Sequence, residues 1–320
     1  MNKKFPEQIS PALRELERRT PIRRESREDT RRIGVRRAGA REAQAISRRA
    51  ALGRLSAGAL LAMGLWPGAL RAAEAGGGRS FRFIVVNDTH AVSPECGPFL
   101  DGLAKQMKKE EADFVLHGGD VTDKGDKPYF DMIQEAFRAV GKPWYPVIGN
   151  HDYVTQTDRK PYEEAFPKRI NYAFTEGGWQ FVALDTCDGL KYEKTEVQPA
   201  TFQWLEENLK RLDKRKPTVV LTHFPLGADV RMRPANADAL LERFLDFNLQ
   251  AVFCGHYHGF TEKLAKDVPI TTNKCCALKR GNHDGTKEKG YFVCDARDGK
   301  LTRRFVEYKP LPLVPRAAAA

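Results

Sequence analysis

"FRFIVVNDTHAV", residues 81–92, is the stretch on which the fold turns. Its aromatic and β-branched run reads as a strand, and directly after it come Asp88 and His90, two positions apart. On extended backbone such residues point the same way while Thr89 points the other, so an oxygen and a nitrogen donor are offered to one point in space. Taken alone, Asp-x-His is more readily a polar loop start than half of a metal site. The remaining donors must be sought downstream.

Short apolar runs alternate with longer amphipathic ones along the chain that follows. "FLDGLAKQMKKE" and "YFDMIQEAFRAV" carry apolar residues at helical spacing, and the strands "ADFVLHGGD" and "PWYPVIGNHD" follow them. The order strand, helix, strand, helix, strand predicts parallel strands with crossover helices. "YAFTEGGWQFVALD" reads as a hairpin around Glu176-Gly177-Gly178. Next come a helix at "PATFQWLEENLKRLD", a strand at "PTVVLTHFP", a helix at "ADALLERFLDF" and a strand at "AVFCGHYHG". The tail predicts a strand in "ITTNKCCAL" and a hairpin turning at Asp298-Gly299. In an open α/β sheet ligands bind beyond the carboxyl ends of the strands. The polar residues gather there: Asp88, Asp120, Asn150, His151, Asp152, His223, His256 and His258. Five of the seven histidines lie at such ends, which chance placement does not explain; His117 sits within a strand and His283 in the polar loop "KRGNHDGTK".

Asp88, His90, Asp120, Asn150, His223, His256 and His258 together offer seven oxygen and nitrogen donors. That mixture suits Mn, Fe or Zn, whereas calcium asks for oxygens alone. Seven donors are too many for one ordinary site and suit two ions if a carboxylate is shared. The series "DTH", "GGDVTD", "GNHD", "TH" and "GHYH" resembles the calcineurin-like metallophosphoesterase superfamily over residues 81–260. The resemblance implies an α/β fold, a four-layer α/β/β/α sandwich with two mixed sheets. It implies two divalent or mixed-valence transition-metal ions, with Asp88, His90 and His258 on one, Asn150, His223 and His256 on the other, and Asp120 bridging. It implies a metal-activated hydroxide as nucleophile, His151 as proton donor, Asp152 orienting His151, and Asp123 supporting the loop that carries Asp120. The chemistry asks for the same residue types, because a phosphoester anion repels hydroxide unless positive charge meets both attacking and leaving oxygens.

The formal charge of +11 is concentrated at the amino end, where residues 1–54 carry sixteen Lys or Arg against seven Asp or Glu. The body thus gives little electrostatic support to nucleic-acid binding. "SRRAALGRL" places Arg48 and Arg49 before the weakly apolar "LSAGALLAMGLWPGAL", and "RAAEAGG" offers Ala73 and Ala75 before Gly76. The arrangement resembles a bacterial twin-arginine export signal. It implies a long polar leader plus signal over residues 1–75, a single domain over residues 76–320, contact with the export machinery, and a periplasmic or extracellular location. A retained amino-terminal anchor is the alternative; the apolar run is short for a spanning helix, so no membrane span is expected after cleavage. The six cysteines fit no zinc pattern, and export leaves a Cys96–Cys187 bridge open.

The pattern "GGDVTDKG" followed by "GNHD" is most similar to the branch holding bacterial cyclic-nucleotide phosphodiesterases. Purple acid phosphatases place a tyrosine ligand where this chain has Asp123, which argues against a purple ferric centre. The expected substrate is a small phosphomonoester or phosphodiester. Two other readings are an exported non-catalytic binding protein on this scaffold and a nuclease. Trp144, Trp179 and Trp204 read as packing residues, whereas Lys124, Tyr153, Tyr192 and Arg233 lie in loops able to frame a phosphate. The sequence leaves the oligomeric state open.

Overall fold

The computed structural model describes residues 79–310. The expected leader and export signal, residues 1–75, lie outside the described residues.

Two sheets form because the apolar runs are buried on both faces. The first has strand order β11-β10-β1-β2-β3, the second β4-β5-β6-β7-β9-β8. In the first, β1 (Phe81–Val86), β2 (Phe114–His117) and β3 (Trp144–Pro146) run parallel, as the alternation with helices predicts. The tail hairpin β10 (Gly290–Arg297) and β11 (Lys300–Glu307) turns at Asp298-Gly299 and adds antiparallel to β1. In the second, β5 (Trp179–Leu184), β6 (Thr218–Thr222), β7 (Leu249–Cys254) and β9 (Val268–Thr272) are parallel. The strands β4 (Tyr172–Glu176) and β8 (Thr261–Ala265) close its edges antiparallel.

Alternation along the strands sorts the core into three slabs. Phe81, Phe83, Val85, Phe114 and Leu116 face Phe181, Val219, Leu221 and Phe253 between the sheets. There Phe83 stacks on Phe114 at 5.2 Å and meets the edge of Phe181 at 5.5 Å. The intervening Ile84, Val86 and Val115 face outward against α1 (Cys96–Lys108) and α2 (Lys127–Arg138). On the other outer face Val182, Val220 and Val252 pack with α4 (Pro199–Asn208) and α5 (Ala237–Glu242). A short α3 (Lys160–Ala165) leads into β4. Helix, sheet, sheet and helix make four layers, and each large side chain buried between them contributes about 1.5–3 kcal/mol. Among the described residues no helix is long and apolar enough to cross a membrane.

Two expectations are corrected and one open possibility is closed. The helix read over 237–247 stops at Glu242, because Phe244 and Phe247 donate to carbonyls three residues back and tighten the chain into turns. The strand read over 270–278 leaves the sheet after Thr272, and Cys276 N donates to Asn87 O as the chain crosses to the first sheet. No Cys96–Cys187 bridge forms: both thiols are free and buried, and Cys187 Sγ donates to Ile148 O. Trp144 and Trp179 pack as expected, Trp144 stacked on Phe137 at 4.7 Å.

Candidate active site

The carboxyl ends of β1, β2, β3, β6 and β7 open onto one edge of the sandwich, and each continues into a loop bearing site residues. The first two loops are zipped together by main-chain bonds, with Asp88 N on Gly119 O and His90 N on Asp120 O, both 3.0 Å. To aim their side chains at one point, Asp88, His90, Asp120, His256 and His258 all adopt left-handed backbone, with φ between 42° and 64°. Such conformations cost on the order of 1–3 kcal/mol each in a non-glycine residue and persist only where surroundings impose them. Gly119 takes φ 88°, and a Cβ there would lie 2.6 Å from His223 Nδ1.

Two donor groups result, and they share Asp120. Asp88, His90, Asp120 and His258 form one; Asp120, His223 and His256 form the other, with ligand atoms within 4.8 Å of one another in each. Asn150 joins the second through Oδ1, 3.2 Å from His223 Nε2.

The hydrogen bonds around the four imidazoles test whether metal ions fit. His223 Nδ1 lies 2.8 Å from Gly118 O, His256 Nε2 2.7 Å from Tyr192 O, and His258 Nδ1 3.2 Å from Gly281 O. A carbonyl only accepts, so each of those nitrogens carries the proton and the opposite nitrogen presents a lone pair inward. His90 Nδ1 is likewise held at 2.9 Å by Asp123 Oδ1. The inward nitrogens meet at 3.0 Å (His90 with His258) and 3.2 Å (His223 with His256), beside the carboxylates of Asp88 and Asp120. Lone pairs facing one another beside buried carboxylates require a proton or a cation between them. The donor set fits two divalent ions, and the outer acceptors fix each ring for that purpose.

Electrostatics agree with this assignment. Burial works against ionisation of Asp88, but His258 and His223 outweigh it and hold its carboxyl well below the usual range. Burial lowers His223 and His258, yet Asp120 raises the former to about 9 and Asp88 the latter to about 11. Burial and then His223 push His256 down to about 3.

His151 is the accessible member, with 29% of its side chain exposed where His90, His223 and His258 show at most 5%. Its backbone N–H donates to Asp120 Oδ1 and its Nδ1 lies 2.9 Å from Asp123 O, which leaves Nε2 free on the cavity side. The expectation that Asp152 orients His151 is corrected. The carboxylate of Asp152 accepts from the backbone N–H groups of Val121, Thr122 and Gly149, pinning the loop that carries Asp120. Burial and then the charge of Asp120 push Asp152 up to about 7. Asp123 instead holds the His90 ring and accepts from Arg280 Nε at 2.8 Å.

A cavity of about 410 Å3 lies above these residues, lined also by Leu190, Tyr192, Arg231, Met232, Arg280 and His283. Of the loop residues expected to frame a phosphate, Tyr192 borders it. Tyr153 is buried, with its hydroxyl bonded to Arg159, and Arg233 is paired with Asp238. Arg231 belongs to the loop over residues 226–237, one of those placed to close over the metals, whereas nothing in the sequence marks Arg280 or His283 as lining the site. Neutral His117 stays in the sheet, accepting from Gly119 N and bonding to Thr89 Oγ1.

A family model described as calcineurin-like phosphoesterase matches residues 81–260. A glycerophosphodiester phosphodiesterase of Enterobacter lignolyticus is 26% identical over 204 residues, covering 58% of this chain and 68% of that protein. A protein of Psychrobacter arcticus, named a probable cyclic nucleotide phosphodiesterase, is 25% identical over 211 residues, covering 60% and 75%. Among solved structures, a dimetal phosphatase from Danio rerio shares the fold, with a TM-score of 0.56 at 13% identity over 70% of this chain and 95% of that one.

Proposed function

This chain belongs to the calcineurin-like phosphoesterase family, and from that premise we propose that it is an exported phosphodiesterase acting on small diesters. It is a metal-dependent phosphoesterase with a dinuclear site. The observation that carries the reading is the convergence of four imidazole nitrogens on two buried carboxylates, with the half-buried ring of His151 lining the cavity beside them. In this proposal Asp88, His90 and His258 hold one ion, Asn150, His223 and His256 the other, and Asp120 both. When bound, the two ions supply an activated water and positive charge against the phosphoester anion. His151, its Nδ1 proton held on Asp123 O, presents Nε2 to the cavity and delivers a proton to the departing alkoxide. Preference for diesters is supported by the names of the two relatives above.

The test uses purified residues 76–320 loaded with Mn, Zn or Fe and a matched panel of monoesters, linear diesters and cyclic nucleotides. Metal-dependent turnover with diesters ahead is expected. His151→Ala should retain two ions per chain and lose about 10²–10⁴ in rate, most severely with poor leaving groups. Equal losses on activated and unactivated esters would remove His151 as proton donor, and monoesters ahead would remove the diester preference.

Export is supported by Arg48-Arg49, the apolar run and the Ala73-x-Ala75 site. Cell fractionation of the full chain should find it outside the cytoplasm with Gly76 at its amino terminus. Retention of Arg48→Lys/Arg49→Lys in the cytoplasm is the expected control, and export unaffected by that change would sink the twin-arginine route.

A further inference from the structure

The cavity above the metal residues has a mixed lining. Leu190, Tyr192 and Met232 are its apolar part, with Leu190 and Tyr192 exposed. Arg231, Arg280 and His283 are its basic part, and the charges of Arg231 and Arg280 both act on His283. Arg280 and His283 come from a loop beyond residues 81–260, the segment that the family model matches.

That loop is built rather than loose. Asn282 Oδ1 accepts from Cys275 N, Asn282 Nδ2 donates to the carbonyls of Thr286 and Glu288, and Lys289 Nζ donates to Arg280 O. Arg280 itself is fixed, since Nε and Nη2 both lie on the single oxygen Asp123 Oδ1 at 2.8 and 2.6 Å. Arg231 differs: among the described residues its side chain makes no ion pair and no hydrogen bond. An unpartnered guanidinium on the wall of an anion-binding cavity is a fork of donors in want of an acceptor.

We propose, resting on the phosphodiesterase reading above, that Arg231 together with Arg280 binds a second anionic group on the alcohol arm of the substrate. The enzyme then favours phosphoesters whose arm carries a carboxylate or phosphate over those with a neutral arm. Charge leads to the same choice. Among the described residues, two divalent ions and two guanidiniums outweigh the carboxylates of Asp88, Asp120, Asp123 and Asp152, so the loaded cavity stays positive. A diester with neutral arms brings one negative charge to it, and an arm with a carboxylate brings a second to the wall where Arg231 has no partner. The cavity volume exceeds what a phosphoryl group alone needs and leaves room for such an arm.

The experiment compares 2-carbamoylethyl 4-nitrophenyl phosphate with 2-carboxyethyl 4-nitrophenyl phosphate, which share a leaving group and nearly the same shape and differ in one charge. On the metal-loaded protein the carboxylate ester should have a kcat/KM about tenfold higher, the order expected of one charge-assisted contact. In Arg231→Gln the ratio should collapse toward one. A ratio near one in the parent chain, or one unchanged in Arg231→Gln, overturns the inference. Arg231 is exposed and unpartnered, so the variant should fold, which its thermal melt will show. A binding arm keeps the two readings separable: calorimetry with 3-phosphonopropionate and propylphosphonate should show the former about tenfold tighter, with the advantage lost in Arg231→Gln. Equal affinities overturn the arginine assignment. If the loaded protein hydrolyses neither ester, the phosphoesterase reading falls, and the binding pair still decides the role of Arg231.

Discussion

At the scale of single residues, Gly149 shows how little room surrounds the shared carboxylate. A Cβ there would collide with the carboxylate and backbone nitrogen of Asp120. Its φ of −108° is open to any residue, so alanine on backbone grounds alone would stabilise slightly. Gly149→Ala therefore isolates the collision. It should displace Asp120, lower metal content from two ions per chain toward one, and cut turnover by about 10²-fold, the usual cost of misplacing a catalytic group by about 1 Å. Two retained ions with unchanged turnover would mean that Asp120 relaxes without loss. Residues whose identity is dictated by this crowding and by donor chemistry were legible in the sequence: Asp88, His90, Asp120, Asn150, His223, His256 and His258 all converge. Asp152 was legible as important but not in its task, because a buried carboxylate can cap a loop or orient a ring, and only the positions of the Val121, Thr122 and Gly149 N–H groups decide which.

At the scale of elements, the strands were read well and the connections less well. The runs at β1, β2, β5, β6 and β7 are apolar on both faces and bounded by polar loops, a signal that survives without tertiary information. Part of β9 is legible, but its partner β8 is not, because that edge strand alternates exposed Glu262 and Leu264 with half-buried neighbours and lacks an apolar run. A six-residue helix such as α3 holds too few turns for periodicity to show, while α5 follows the expected helix over 237–247 only as far as Glu242. The loop from Cys275 to Lys289 was invisible as a wall of the site, since its internal bonds pair polar side chains with carbonyls and carry no sequence period.

At the scale of the whole molecule, metal and proton compete for the same positions. Without metal, His223 and His258 have pKa values raised from 6.5 to about 9 and about 11. A raised histidine contributes stability that is complete below its unfolded pKa and lost as pH rises through its folded one. The metal-free protein should accordingly lose stability between pH 7 and pH 9.5, first through His223, while the loaded protein, whose ions replace those protons, should not. Thermal melts with and without a chelator across that range should diverge by several degrees, given that about 1 kcal/mol moves Tm by about 2–4 °C in a domain of this size. Metal loading near neutral pH should release protons. Parallel melts at every pH would show that the imidazoles are not protonated in the metal-free state.

The sequence by itself determined the layered α/β architecture and the donor set, because burial writes a period into strands and helices and metal chemistry restricts ligands to a few residue types. Only the tertiary structure decided which nitrogen of each imidazole faces inward, where the carboxylate of Asp152 points, and which distant loops wall the cavity. Those outcomes depend on carbonyls and side chains brought from far apart in the chain. Gly281 O reaches His258, Tyr192 O reaches His256, and Arg280 reaches Asp123 only once the two sheets have closed on each other.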